Sequence, residues 1–404
     1  MNALVQSAAA QAARRIASDQ EALDAAHAFA ATIAAGAAER DRDRRLPYGE
    51  LDAYSASGLW GIAVPREFGG AAVSAATLAA VTAIVSEADP AIGQIPQNHF
   101  YMLEVLRVNG TRDQQRFFFE RALLGERFGN ALSERGTKTV RDYRTAITPD
   151  GAGFRLNGQK FYSTGALFAH WIPVVAKDAN DVLHVAFTSA RAPGLTVEDD
   201  WSGFGQRTTG SGTTRLDNVY VDAAAVVPYS AAFDAKPTPV GPLGQLLHAA
   251  VDLGIARAAF ADARRFVRER ARPWVDAQVE RASDDPLTLE LFGRLALELD
   301  AADALTERAG WRVDAAIDDA NARTVAAASI AVAKARAATT EIALHASSRL
   351  LELAGTQGVL AEHALDRHWR NARTHTLHDP VRWKYVAIAN YHLNDTLPPR
   401  HGAL

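Results

Sequence analysis

The segment His368-Trp369-Arg370-Asn371-Ala372-Arg373-Thr374-His375-Thr376-Leu377-His378-Asp379-Pro380 places three histidines within 13 residues. Imidazole titrates near neutral pH, so a histidine beside a bound substrate can give or take a proton. His375 and His378 stand three apart and share a face if the chain there is helical. Pro380 opposes helix at Asp379, because a residue before proline avoids the α conformation. The spacing would also suit a metal, yet no companion motif stands out elsewhere, and none is expected. The favoured reading has one histidine lining a cavity as a proton carrier and the other buried and hydrogen-bonded.

Three further segments gather polar side chains. Asn130-Ala131-Leu132-Ser133-Glu134-Arg135-Gly136-Thr137 and Gly158-Gln159-Lys160-Phe161-Tyr162-Ser163-Thr164-Gly165-Ala166 crowd donors and acceptors near strand ends. That suits a heteroaromatic cofactor such as a flavin ring, and equally an ordinary hairpin whose hydroxyls cap turns. The segment Gln94 to Met102 carries His99 and Tyr101 in an apolar region. His99 there either faces the same cavity or is a satisfied core histidine. Arg268, Arg270 and Arg272 cluster near a helix end, where guanidinium groups grip phosphate or complement the helix dipole.

These segments need elements to hold them. Residues 1–126 read as a helical domain, with alanine, leucine and charged residues at helical spacing and an amphipathic helix at the N-terminus. Residues 127–232 change texture. Runs rich in β-branched and aromatic residues lie at Tyr143–Thr148, Gly153–Leu156, Trp171–Ala176, Leu183–Thr188 and Thr213–Val221, with turns expected at Pro149-Asp150-Gly151 and Leu156-Asn157-Gly158. They predict a small antiparallel β domain. Residues 233–404 return to long helical stretches at 242–274, 286–318, 321–354 and 380–392, which predict a four-helix bundle; Ser283-Asp284-Asp285-Pro286 is a helix start.

Composition narrows the classes. With no cysteine among 404 residues, disulfides, thiol nucleophiles and thiolate metal sites are excluded. The formal charge of −4 offers no field for nucleic acid or an anionic membrane. No window approaches a transmembrane span, so a cytoplasmic protein is expected. Methionine is confined to Met1 and Met102. A chain so poor in sulfur suits expression under sulfur limitation, or exposure to peroxide-level oxidants. Drift in an alanine- and arginine-rich proteome is the third explanation.

Together these motifs resemble the acyl-CoA dehydrogenase superfamily over nearly the whole chain. Gly158 to Thr164 is similar to the family's flavin-contacting hairpin. Gly205-Gln206-Arg207-Thr208-Thr209-Gly210 and Leu216 to Val221 resemble the strands that close its β domain. Leu353-Ala354-Gly355-Thr356-Gln357-Gly358 and Asp366 to Arg373 resemble the signature of its bundle. The implied fold class is α+β, mainly α. The departures point further. Where dehydrogenases carry a glutamate base followed by glycine, this chain reads Leu377-His378-Asp379-Pro380. Asn371 to Pro380, with the ending Arg382 to Gly402, resembles instead the flavin-dependent monooxygenase branch that oxidises sulfur compounds.

That resemblance implies a two-component monooxygenase acting on a small organosulfur compound through a flavin C4a-hydroperoxide, in sulfur scavenging. The cofactor is reduced FMN, with FAD less favoured, supplied by a separate NAD(P)H-flavin reductase. The alternatives are an acyl-CoA dehydrogenase or oxidase with Asp379 as base, a nitrogen- or carbon-hydroxylating relative, and a non-enzymatic flavin-binding protein. Carried over by position, His99, Asn130, Ser163, Thr164 and His378 are the catalytic candidates. Tyr101, Asn130, Ser133, Glu134, Lys160, Tyr162, Thr164, Thr356, Gln357, His375 and His378 are expected at the cofactor. Arg272, with Arg270 as runner-up, is expected on the flavin phosphate of a neighbouring subunit in a homo-oligomer, a tetramer in this family.

Overall fold

The computed structural model describes residues 13–404. The first part of the expected N-terminal helix, residues 1–12, lies outside the described residues. Helix α1 (Asp19–Ile33) starts where Ser18 accepts a hydrogen bond from the Glu21 amide. Helices α2 (Ala37–Asp43), α3 (Tyr48–Ser57), α4 (Ala75–Ala88), α5 (Pro90–Gln94), α6 (Pro96–Asn109) and α7 (Arg112–Leu123) complete the first region. Thr111 and Gln114 close a capping box on α7.

A seven-stranded sheet follows: β1 (Ala146–Asp150), β2 (Gly153–Lys160), β3 (Trp171–Lys177), β4 (Leu183–Ser189), β5 (Leu195–Val197), β6 (Thr214–Asp222) and β7 (Val226–Pro228), in spatial order β5-β6-β2-β1-β3-β4-β7. Its pairs are antiparallel except β1 with β3. Leu156-Asn157-Gly158 is not a turn. β2 runs through it, and the pairing with β6 shifts register between Leu156 and Gly158. Gly158 there has φ +152°, and a Cβ on it would stand 2.7 Å from the Cα of Thr145. A bulge that presses backbone against backbone requires glycine.

The last region holds α8 (Val240–Glu269), α9 (Pro286–Asp318), α10 (Ala322–Ala354), α11 (Asp366–His375) and α12 (Arg382–Leu393). Asp285 caps α9 with Pro286 in its first turn, as the sequence predicts. α8, α9 and α10 pack on one another, α12 packs on α10, and α4 lies against α8 and α9. Small residues permit the close approach: a Cβ on Gly310 of α9 would meet the Cα of Ala76 in α4 at 2.5 Å. Among the described residues no helix is long and apolar enough to cross a membrane.

The loop after β5 ties sheet to bundle. The Gln206 amide donates to Asn371 Oδ1 at 2.6 Å, and Arg370 donates to the Phe204 carbonyl at 2.9 Å and to Asp41 at 2.5 Å. A Cβ on Gly205 would fall 1.9 Å from the Arg370 carbonyl oxygen. The loop therefore lies flush on α11, the helix that ends in His375.

Candidate active site

One group of candidate side chains lies in the β domain. Asn98 on α6 holds the Gly129 carbonyl at 2.5 Å and so fixes the backbone beside Asn130, whose Oδ1 accepts from the Leu132 amide at 2.9 Å. Past β2 the Ser163 amide donates to the Gly212 carbonyl at 3.1 Å and the Gly165 amide to the Thr209 carbonyl at 3.0 Å. Thr164 Oγ1 meets Ser211 Oγ at 2.7 Å, and Ser211 Oγ meets Thr209 Oγ1 at 2.6 Å. Ser163 is fully buried and its hydroxyl has no partner. A buried hydroxyl without a hydrogen bond is costly.

The second group lies among helices. His375 closes α11, fully buried, with its Nδ1–H donating to Asp252 Oδ1 at 2.6 Å. Asp252 on α8 also accepts from Arg336 of α10 and from Thr340 at 3.3 Å. His375 Nε2 meets His248 Nδ1 at 3.1 Å. The His248 ring lies 3.9 Å from that of His378, centroid to centroid, inclined by 37°. His378 sits beyond the helix in a turn, as Pro380 requires, and its side chain is 44% exposed. Its Nδ1–H donates to Asp379 Oδ2 at 3.1 Å, which also takes a hydrogen bond from Gln245 at 2.8 Å. Lys384 donates to Gln245 Oε1 at 3.0 Å.

Burial sets the charges here. It pushes His248 well below the ordinary imidazole value, and His378 and His375 lower it further. His375 is also held low by burial, against the pull of Asp252. Burial opposes the charge on Asp379, yet His378 and Lys384 outweigh it and hold that carboxyl ionised, far below the usual range. Lys384 is lowered to about 8 by burial.

Some expected residues lie elsewhere. His99 is a core histidine: its Nε2–H donates to the Trp60 carbonyl at 2.8 Å and its Nδ1 accepts from the Phe128 amide at 3.2 Å. Both nitrogens are committed to the backbone, which leaves neither to carry a proton. Burial holds its pKa at about 3. The unfolded chain therefore binds this proton first as acid is added. His99's contribution to stability is full above pH ~6.5 and is lost as pH falls toward 3. His99→Phe strands a carbonyl and an amide, and should cost about 2–4 kcal/mol at pH 7. Thermal melts should also show the variant losing less stability between pH 7 and pH 4 than the parent.

Glu134 and Lys160, expected at the cofactor, pair with each other. Lys160 Nζ donates to Glu134 Oε1 at 2.8 Å and to the Leu132 carbonyl at 3.0 Å. Glu134 also accepts from the Thr145 and Arg144 amides at 3.0 and 2.8 Å. They brace the Asn130 loop, with Ser133 contributing its carbonyl to the Phe161 amide at 3.0 Å. Tyr162 is half-exposed at φ +59°, strained backbone just before Ser163. Tyr101 is buried on α6, with its hydroxyl 2.7 Å from that of Tyr229 and its ring against Gly244, next to Gln245. Arg272 and Thr356 are exposed, and Gln357 is partly so. α8 continues 21 residues past His248 to Glu269, about 30 Å at helical rise. Arg272 is therefore remote from His378 of its own chain.

The sequence reading missed His248, Asp252, Gln245, Arg336 and Lys384. A signal existed: Gln245, His248 and Asp252 fall at i, i+3 and i+7 on a helix stretch otherwise apolar and buried. Three polar groups on one buried stripe must meet partners. Among the described residues no group of three or more His, Asp or Glu is placed to hold a metal ion.

Three profiles cover this architecture in order. Residues 17–126 match the acyl-CoA dehydrogenase N-terminal domain, 130–219 the middle domain and 246–383 the C-terminal domain. The chain belongs to the acyl-CoA dehydrogenase family. Within that family it is 31% identical to dibenzothiophene monooxygenase of Rhodococcus qingshengii over 401 residues, covering 95% of this chain and 96% of that one. It is 32% identical to the probable FMNH2-dependent monooxygenase SfnC of Pseudomonas putida, covering 93% and 96%. The crystal structure of FMN-bound TdsC from Paenibacillus sp. A11-2 superposes with a TM-score of 0.90 at 29% identity, covering 95% of this chain and all of that one.

Proposed function

We propose that this family member is a reduced-FMN-dependent monooxygenase that oxidises the sulfur of a small organosulfur compound. The carrying observation is the state of Asp379, which falls about where the resemblance puts a dehydrogenase's glutamate base. Its carboxyl is buried, ionised and held by His378 and Gln245. A carboxylate held that low is too weak a base to take a proton from carbon near neutral pH. The names of the relatives above support the same reading, and so does a chain with almost no oxidisable sulfur.

The donor set fits a flavin: the free Ser163 hydroxyl, the Thr164–Ser211 pair and Asn130 offer polar atoms to the ring edge. When bound, reduced FMN supplies activation of dioxygen for transfer of one oxygen atom. The chain's own part is to orient the ring through these groups and to hold or deliver a proton at His378 Nε2. Reduced flavin comes from a separate NAD(P)H-dependent reductase. The test is a reductase-coupled assay with sulfides, sulfones, sulfinates and thiophenes, read by mass spectrometry under labelled dioxygen. Labelled product that requires the reductase supports the reading; reduction of bound flavin by an acyl-CoA overturns it.

The flavin phosphate is assigned to Arg272 of a neighbouring copy in a tetramer. Arg272 is flanked by exposed Trp274 and Val275, and Gln357 by exposed Val359 and Leu360. Apolar side chains left in solvent around a cation are what a subunit contact covers. Arg272→Ala should weaken FMN binding about tenfold or more, the loss of a charge-assisted hydrogen bond. Mixed with His378→Ala under subunit exchange, it should regain activity that neither variant has alone; no recovery would place Arg272 outside the site.

A further inference from the structure

His248 is not among the residues that the resemblance assigns, yet it touches His378. Its setting fixes its protons by elimination. Asp252 is ionised against Arg336, so it takes the Nδ1–H of His375. That leaves His375 Nε2 as an acceptor, and the 3.1 Å contact must then be filled by the Nδ1–H of His248. His248 Nε2 is left as a bare lone pair in a ring 3.9 Å from that of His378. His378 is held from its other side by Asp379.

We propose that Arg336, Asp252, His375 and His248 form a buried relay that sets the protonation of His378, with His248 as the positioning residue in contact with it. The proposal rests on the monooxygenase reading for its purpose, but its geometry stands alone. The chain runs across three helices, from α10 through α8 to the end of α11, and every link is buried. A role in packing alone would not need a carboxylate and a guanidinium sealed beneath two imidazoles, since buried charges cost more than apolar residues of the same shape. The neutral state of His248 and His375 follows from burial, so the relay keeps its tautomers across the working pH range. The charged and titratable groups nearest His378 are Asp379 and His248, in contact with it, and Lys384, His375, Asp252 and Arg336, all buried behind them.

The sign of the effect separates a relay from packing. Asp252→Asn removes a negative charge and leaves Arg336 uncompensated, so the inflection of His375 should fall. Arg336→Gln leaves the carboxylate uncompensated, so the inflection of His375 should rise. His248→Phe keeps a ring against His378 but cuts the nitrogen link to His375. It buries no unpaired charge and should fold, with a changed exchange profile at the His378 ring and about a tenfold loss of product formed per NADH consumed. The measurement is hydrogen exchange at each histidine ring carbon, read by mass spectrometry on flavin-free protein across pH. Opposite shifts in the two charge variants support the relay; shifts of one sign, or none in His248→Phe, overturn it. Absence of any oxygenation in the parent would overturn the activity and leave the exchange result standing.

Discussion

Replacing His378 with alanine should lower sulfur oxygenation by about 10²–10⁴-fold, the range that a positioned acid–base group contributes. The fold should survive, because the side chain is 44% exposed and closes no core. Three facts make this the largest loss available. His375 and His248 are spent on Asp252 and on each other. His99 is spent on backbone. His378 is therefore the imidazole of this cluster whose free nitrogen, Nε2, belongs to an exposed ring; the free Nε2 of His248 is buried. Without it, oxygen consumption should continue and end as hydrogen peroxide, since nothing delivers the proton in step with transfer to sulfur. Product per NADH consumed, peroxide yield and the thermal melt are the measurements. Coupled oxygenation at the parental rate would remove His378 from the mechanism.

Much of this architecture was legible because its signals are local. The Asp285-Pro286 start of α9, the helical period of α8 to α10, and the β-branched and aromatic runs of β3 and β4 each lie within a few residues of the element they specify. The turn expected at Leu156-Asn157-Gly158 failed for an equally physical reason. Asn-Gly favours a turn only when no partner strand is waiting, and β6 pairs on both sides of it. The glycine serves the bulge instead.

The site was legible by half. The cluster around His375 and His378 declared itself by residue type within one short segment. Its partners did not, because His248 lies 127 residues from His375, and nothing along the chain links them. His99 shows the opposite difficulty. A histidine amid polar neighbours reads equally as functional or as a satisfied core residue; its partners are the Trp60 carbonyl and the Phe128 amide, and backbone groups carry no mark in a sequence. Glu134 and Lys160 are alike in this: each is a suitable donor or acceptor in the sequence, and only the fold shows that they answer each other across 26 residues.

Ser163 offers the second large effect, and it runs in two directions. Its hydroxyl is fully buried and unbonded, so folding strips it of water and returns nothing. Ser163→Ala removes that unmet group with little change in shape, and the flavin-free protein should gain about 1 kcal/mol or remain neutral. If the hydroxyl awaits the flavin edge or the oxygen being transferred, the same change should lower coupled oxygenation by at least about tenfold, one lost hydrogen bond in a dry site. Ser163→Thr keeps the hydroxyl but adds a methyl group in a closed space, and should lose stability instead. Stability and function should therefore part company at this residue. A core serine with only a packing role would move both together. Melting of the flavin-free protein beside product per NADH for the two variants decides between them. An alanine variant that is less stable and fully active would assign Ser163 to the core.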